Sequence, residues 1–536
     1  MTPSAETIYR RRWWTLGVLC LSLVVISLDN TILNVALPSI QDDLNASSSQ
    51  LQWISDSYLL IFAGLLLTAG TLGDRFGRKR ALLAGLGVFG AGSLLATVAT
   101  SSTMLIAGRG VMGLGAAFIM PSTLSILTNV FPKRERAKAI SIWAGVSGIG
   151  VAIGPVAGGL LLDHFSWGSV FLVNLPIVAV ALLAAKPYVP ESSDPETPPV
   201  DKFGAVLSIA SLSSLVWAII EAQSRGWTSM PILMGFLVFA VLGAVFVAWE
   251  LHTRHPMLEM RFFRNRAFSG ASVSVALVFF ALMGTIYFLT QYIQMVMGYS
   301  PLAAGVRITP VAAGLIFAAG MSPKLQRRFG TRVMVAIGLT IVAGALILLA
   351  QATVDTGYGL VAAVLVLMGL GMGSAMAPAT DSVMGSLPLE KASVGSAMND
   401  TTRQVGGALG IAVLGSLLTT GYRGSLDSDV PAAAHDSLGA ALHVGGARVV
   451  DSAQHAFVSG MGTASIVAAG IALGGALIAL VALPKRVQEE ATAAEVKCIG
   501  CGETIAPSIA HLGSLHCHDC RDAQPLTAAK VEVFAA

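Results

Sequence analysis

Apolar residues gather along this chain into long runs, separated by short polar breaks. A helix needs about 20 predominantly apolar residues to cross the hydrocarbon of a bilayer. Fourteen stretches reach that length, at roughly 13–38, 51–72, 81–100, 103–127, 138–162, 169–188, 203–222, 230–250, 268–293, 303–321, 333–351, 358–387, 402–420 and 458–484. The first run is too long for a cleavable signal peptide and lacks a small-residue cleavage site. The pattern predicts an all-α integral membrane protein with 14 transmembrane helices.

Composition sharpens this. The chain has 536 residues, of which 54% are hydrophobic and 12% charged, with a mean hydropathy of +0.73. Soluble domains carry about 25% charge, so a soluble enzyme is excluded. The net charge of +3 speaks against nucleic acid as a partner, because that partner calls for a concentrated basic face. The balance hides a strong asymmetry. Of 33 Lys and Arg, 28 lie in or beside alternate breaks starting with Arg10, Arg11 and Arg12. Arg225, Arg423 and Arg448 fall in the other breaks, and Arg109 and Arg307 within spans. The positive-inside rule therefore places both termini in the cytoplasm.

An internal repeat predicts the architecture. The break after span 2 reads Leu72-Gly73-Asp74-Arg75-Phe76-Gly77-Arg78-Lys79, and the break after span 10 reads Leu325-Gln326-Arg327-Arg328-Phe329-Gly330-Thr331-Arg332. Equivalent loops eight spans apart imply two six-span halves with two extra spans between them. The expected layout is a cytoplasmic N-terminus (1–12), a six-helix bundle (13–188), a Pro- and acid-rich linker (189–202) and two inserted helices (203–250). A cytoplasmic loop (251–267), a second six-helix bundle (268–484, with an external loop at 421–457) and a cytoplasmic tail (485–536) complete it.

These loops belong to a set of motifs. Gly70 to Arg80 reads Gly-Thr-Leu-Gly-Asp-Arg-Phe-Gly-Arg-Lys-Arg, and Leu28 to Pro38 reads Leu-Asp-Asn-Thr-Ile-Leu-Asn-Val-Ala-Leu-Pro. With Leu105–Ala117 around Arg109, Gly150–Gly159, the Trp167…Phe171…Asn174…Pro176 pattern and Arg403–Gly407, the chain resembles the major facilitator superfamily over residues 13 to about 484. The resemblance is to its 14-span drug:proton antiporter branch, the EmrB/QacA type. Met112, where Gln is usual, and Ser169, near a frequent Arg, depart from the pattern. The resemblance implies a major facilitator fold arranged 6 + 2 + 6. It implies proton-driven export of lipophilic compounds by alternating access.

The residues themselves carry chemistry. Charges inside a membrane are costly and mark functional sites by default. Asp29, Asp56 and Arg109 sit within about 8–14 Å of the outer ends of spans 1, 2 and 4, at 1.5 Å rise per residue. A buried carboxylate near a movable Arg is a workable proton switch, because the two states of the pair favour opposite protonation states. Asp381, about 10 Å from the cytoplasmic end of span 12, is the acid expected to serve the second half. In the loop after span 2, Gly70, Gly73 and Gly77 permit a tight turn, and Asp74 can pair with Arg75 or Arg78 as a conformational latch. In span 5, Gly145, Gly148, Gly150, Gly154, Gly158 and Gly159 leave one face almost bare and Pro155 invites a bend. Such a face suits rocking halves as well as plain close packing. Glu221 and Arg307 read as solvated or snorkelling helix ends. Trp53, Tyr58, Trp143, Phe279, Phe280, Met283, Tyr287 and Tyr292 are candidates for a pocket around flat lipophilic substrates.

The tail carries a separate signal. Cys498-x2-Cys501 and Cys517-x2-Cys520, 15 residues apart, have the spacing of a four-thiolate zinc site. Four soft ligands in a reducing cytoplasm favour Zn over disulfides. A closed shell of thiolates argues for folding, partner docking through the tail, or zinc sensing. No Walker-type phosphate loop and no catalytic His or Ser constellation occurs, so neither a nucleotide cofactor nor an enzyme is expected. The reading is a proton-coupled exporter in the plasma membrane of a prokaryote, acting on lipophilic small molecules. Its alternatives are a dedicated exporter of one metabolite or antibiotic regulated by the tail, and a non-transporting membrane sensor.

Overall fold

The computed structural model describes residues 5–193, 201–256, 258–386, 392–427 and 429–483. Cys498, Cys501, Cys517 and Cys520 lie outside the described residues, as do the side chains of Gly145, Gly148 and Gly150.

The described chain is helical. A first group comprises α1 (Ala5–Leu44), α2 (Ser48–Phe76), α3 (Arg78–Thr97), α4 (Ser102–Val130), α5 (Lys133–His164), the short α6 (Ser169–Leu172) and α7 (Asn174–Tyr188). A hairpin follows, α8 (Lys202–Arg225) and α9 (Met230–His252). The second group is α10 (Arg266–Gln291), α11 (Pro301–Ile308), α12 (Pro310–Phe329), α13 (Thr331–Leu349), α14 (Tyr358–Gly385), α15 (Ala392–Ser425), α16 (Leu438–Val444) and α17 (Ala447–Ala482). Among the described residues, 12 helices are long and apolar enough to cross a membrane, or 13 if α2, bent by 52°, counts as one span.

Local chemistry explains where helices begin. Ser47 accepts from the Gln50 backbone N–H while the Gln50 side chain accepts from Ser47 N–H, a complete capping box at the start of α2. Ser101 caps α4 and Asp201 caps α8 through single bonds to Met104 and Gly204 N–H. Gly77 and Gly330 end α2 and α12 with φ of +119° and +82°. The repeated Arg-Phe-Gly thus has a shared backbone form that a side chain at the glycine would strain.

Packing repeats as well. α4 lies on α2 and α3, and α14 lies on α12 and α13. At the first contact a Cβ on Gly115 would meet the Gly85 carbonyl and the Phe89 backbone. At the second, Gly338 and Gly371 stand in the same mutual relation. Small residues let helices approach closely where lipid supplies no hydrophobic drive. The repeat read from two loops therefore extends to helix seams.

One end of the body carries the Gly77 and Gly330 turns and is here termed the basic end. The other, with the Asn45–Ser47 turn, is the far end. Polar contacts between the two groups cluster at the far end. Gln294 Nε2 donates to Val35 O at 2.9 Å, and Ser48 Oγ donates to Asp436 O at 2.9 Å. His443 Nε2 lies 3.2 Å from Asp42 Oδ1. The hairpin helix α8 touches both groups, through α2 and α15, with Ser416 Oγ donating to Ile219 O at 3.0 Å.

Candidate functional site: a buried ion pair and the seams around it

Asp29 in α1 and Arg109 in α4 form a salt bridge, with side-chain exposures of 0% and 1%. Arg109 is the largest fully buried side chain among the described residues. Its Nη1 donates to Asp29 Oδ2, its Nε donates to Ile54 O at 3.1 Å, and its guanidinium lies 4.4 Å from the centre of the Tyr58 ring. Three helices, α1, α2 and α4, therefore meet on one cation. A lone charge here would cost several kcal/mol, so each charge depends on the other.

The other carboxylate oxygen is also held. Asn174 Nδ2 donates to Asp29 Oδ1 at 3.2 Å and to Ser93 Oγ at 3.1 Å, and Ser93 Oγ donates to Phe171 O at 2.8 Å. The sequence places Asn174 in a motif but gives it no role. Nothing in an amide announces itself inside an apolar run.

Asp56 is fully buried, rather than reaching water at the end of its helix. Neither of its oxygens has a hydrogen-bond partner among the described residues. One turn away, Gln52 is equally buried, and a Cβ on Gly415 of α15 would meet its amide. An ionised Asp56 lacks a counter-charge that a proton or a substrate cation can supply.

Asp381 stands differently from expectation. It lies in the last turn of α14, exposed, where it accepts from Gln326 Nε2 at 2.9 Å. Its neighbours Ser382 and Val383 are buried, so Asp381 stands on the outer face of the helix and not beyond its buried part. The acid that the second group places among its helices is Asp400 of α15, 3.5 Å from Arg403 Nη1. The guanidinium of Arg403 also stands 5.7 Å from the Phe279 ring. Asp400 escapes the sequence reading because it falls just before the apolar run of span 13. Arg307 is held between Tyr299 and Tyr358, 3.7 Å from the first ring centre. Glu221 pairs with Arg225 at 3.2 Å.

In the loop after α2, Asp74 pairs with Arg78 and not with Arg75. Arg78 Nε lies 2.6 Å from Asp74 Oδ1, four residues apart, while Arg75 stacks 5.6 Å from the Phe76 ring centre. The two lie on either side of the Gly77 break, and a partly exposed pair of this kind contributes at most about 1 kcal/mol. Further hold comes from the segment after α7. Glu191 accepts from Lys79 N–H at 3.0 Å, and Ser192 O accepts from Arg78 N–H at 2.9 Å. Gly70 faces Pro121 of α4, where an added Cβ would stand 3.3 Å from the ring.

α5 is a seam on two sides. A Cβ on Gly154 or Gly158 would meet Thr31 or Ile32 of α1, and one on Gly159 would meet Pro301 and Leu302 of α11. Pro155 O in turn faces Gly305. Beyond them Asp163 accepts from Leu302 N–H at 3.2 Å and Ser300 Oγ at 3.3 Å. The first group thus supplies the anion at the start of α11, where a carboxylate is favoured.

The buried Asp–Arg pair sits in a repeated, all-helical body of membrane-length helices, and its family makes this a multi-span membrane transporter. The chain belongs to the Major Facilitator Superfamily, whose family model matches residues 19–411. It is 36% identical to the multidrug efflux pump LfrA of Mycolicibacterium smegmatis, over 90% of this chain and 98% of that one. It is 34% identical to the tetracenomycin C resistance and export protein of Streptomyces glaucescens, over 89% and 93%. It is 33% identical to the methyl viologen resistance protein SmvA of Salmonella typhimurium, over 84% and 93%. The first two are named for efflux and export, the third for resistance. Among solved structures, a bacterial homolog of the human lysosomal transporter Spinster superposes with a TM-score of 0.63, at 17% identity over 88% of this chain and 98% of that one. That likeness is one of fold.

Proposed function

We propose that this chain is a proton-coupled exporter of lipophilic, often cationic compounds, working by alternating access. The observation that carries the proposal is the fully buried Asp29–Arg109 pair. The resistance and efflux functions named for its relatives support the substrate class. We read 14 spans arranged 6 + 2 + 6. The two beyond the 12 counted above are the bent α2 and the 32-residue α5. The basic end is cytoplasmic, in a plasma membrane.

The contacts support the following cycle. With the groups joined at the far end, the body admits substrate from the basic end. A proton reaching Asp29 from outside removes the anionic partner of Arg109. α1 is then free to shift along α5, where Gly154 and Gly158 place no side chain in the way. α5 bears on α11 through Gly159 and the Asp163 cap, so the far-end seam loosens. Asp56 serves as a second proton or cation site, Asp400 as the acid that the second group offers to a cationic substrate, and Asp381 as an accessory acid at the basic end. The Asp74–Arg78 loop latches the basic end. An apolar groove of about 570 Å³ between α2, α4 and α8 runs beside this site, lined by Ile61, Leu65, Val111 and Ile209 among others. It suits a compound that arrives from the lipid. The membrane potential supplies about 2.3 kcal/mol per charge per 100 mV.

In everted vesicles carrying a proton gradient, an exported compound is expected to dissipate part of that gradient. A compound to which the protein confers resistance, yet which moves no protons, overturns the coupling. Protection across a chemically mixed panel marks a multidrug pump, and protection from one compound marks a dedicated exporter.

The tail is proposed to hold one Zn through Cys498, Cys501, Cys517 and Cys520, whose spacing suits tetrahedral thiolate ligation. Zinc there would fold a small module able to dock a protein partner. Removing residues 486–536 is expected to abolish stoichiometric zinc binding and leave the helical circular dichroism per residue of the body intact. Zinc retained by the shortened chain refutes the site.

A further inference from the structure

Asn174 is wholly buried at the first residue of α7, just after the break that separates it from α6. Its Nδ2 serves two acceptors, Asp29 Oδ1 and Ser93 Oγ. Its Oδ1 is buried with no hydrogen-bond partner among the described residues. A buried amide oxygen left unpaired costs stability, so this side chain is satisfied on one face only. Asp29 is held from two sides: a cation on Oδ2 and an amide on Oδ1.

An amide has a donor face and an acceptor face, exchanged by a half-turn of its terminal torsion. The NH2 face suits an ionised carboxylate. A protonated carboxyl is itself a donor and needs the carbonyl face. Ser93, whose hydroxyl rotates, can follow either arrangement by turning from Phe171 O to the amide oxygen.

We propose that Asn174, backed by Ser93, is the positioning residue of the Asp29 proton site, holding the carboxylate by its NH2 and the carboxylic acid by its carbonyl. The inference rests on the proton-coupled reading above. In the step itself a hydronium ion gives its proton to Asp29 Oδ1: an O–H bond forms on the carboxylate, one breaks on the donor, and water leaves. Arg109 keeps its own proton and remains held by Ile54 O and the Tyr58 ring. Protonation thus weakens the contact with α4 and keeps the contact with α7, with its direction reversed.

The charged and titratable groups facing Asp29 are few. α4 contributes Arg109, and α2 contributes Tyr58, whose hydroxyl receives Asn30 Nδ2 at 3.5 Å. Asp56 lies on α2 toward Tyr287 of α10. α3 and α7 present the neutral Ser93 and Asn174, and α5 presents Gly154 and Gly158 to α1. The π-helical turn after α10 (Tyr292–Val296) reaches α1 with the neutral Gln294, at Val35 O. The donor face of Asn174 is therefore the chief neutral influence on the site.

A hydrogen bond to an ionised group is roughly twice as strong as one to its neutral form. Losing Asn174 consequently disfavours the ionised state more. In vesicles holding the full chain, Asn174→Leu is expected to move the pH midpoint of drug-driven proton release upward by about one unit. Asn174→Asp sets a like charge beside Asp29 and moves it further in the same direction. Ser93→Ala moves it the same way by less. A lowered rate with an unmoved midpoint in Asn174→Leu and Asn174→Asp reduces Asn174 to packing and overturns the inference. Should Asn174→Leu not reach the membrane, Asn174→Asp and Ser93→Ala give the same decision. Asp29→Asn in the same assay separates the two levels. Exchange that persists there refutes the coupling role itself. Exchange that vanishes there, beside unmoved midpoints in the Asn174 variants, refutes only the positioning role.

Discussion

Asp29→Asn abolishes substrate-driven proton release and the resistance it supports, while the protein still inserts in the membrane. The substitution keeps shape and hydrogen-bonding reach but removes the ability to gain and lose a proton. It also strands Arg109, which is 1% exposed and has Asp29 as its ion-pair partner. Breaking a buried pair from one side costs about 3–5 kcal/mol. The variant should therefore melt earlier as well as fail to couple. Arg109→Gln strands the carboxylate in the same manner. The double variant, Asp29→Asn with Arg109→Gln, removes both charges and is expected to recover much of the lost thermal stability. It recovers no exchange. That divergence is the informative result, since a static pair that merely packs helices would regain function along with stability. Stability is read from thermal denaturation in detergent, and coupling from the vesicle assay. Wild-type exchange in Asp29→Asn sinks the assignment outright.

Much of this was legible before any coordinates. In an apolar run a charge has few reasons to exist, so Asp29 and Arg109 stood out in spans 1 and 4. Their pairing is the simplest way for either to be buried. The Arg-Phe-Gly repeat was equally legible, because positive-φ glycines close both turns. What escaped was neutral or distant. Asn174 reaches Asp29 from 145 residues away, and no local pattern reports such a partner. Glu191 looked like part of an acidic linker, yet its carboxylate holds the latch turn. Asp163 has no part in the sequence reading, yet it caps a helix of the other group. Asp381 shows the opposite case: hydropathy puts it inside a span, and it stands on the exposed face of α14, beside the buried Ser382 and Val383. Hydropathy reports how apolar a run is and leaves open which side of each helix meets a neighbour.

The far-end seam yields the second large effect. Gly159→Leu is expected to reduce export at least tenfold, with normal membrane insertion. At this position α5 meets the backbone of α11, and a Cβ on Gly159 would fall on Leu302 Cα and Pro301 O. Backbone cannot swing aside as a flexible side chain can, so the helices must part. Overpacking of this kind costs about 1–3 kcal/mol. In a transporter that penalty falls on one state alone, the one with the seam closed. A bias of about 1.4 kcal/mol shifts a two-state equilibrium tenfold, so the closed far end becomes a minor species. The Asp163 cap on α11, at 3.2 Å from Leu302 N, parts with it. Gly159→Ala should give a partial loss, since it adds the first atom of the same clash. Gly87→Leu is the control: it lies on α3 with nothing within 4 Å of its added Cβ, and transport should be unchanged. A cysteine placed at Asp163 in the Gly159→Leu background reports the state directly, by faster labelling from outside than in the parent Asp163→Cys. Full export by Gly159→Leu, or an equal loss in Gly87→Leu, removes the seam from the mechanism. The graded series also separates gating from general instability, because a folding defect would lower the melting temperature in proportion to lost transport, whereas a shifted equilibrium lowers transport and leaves the open form folded.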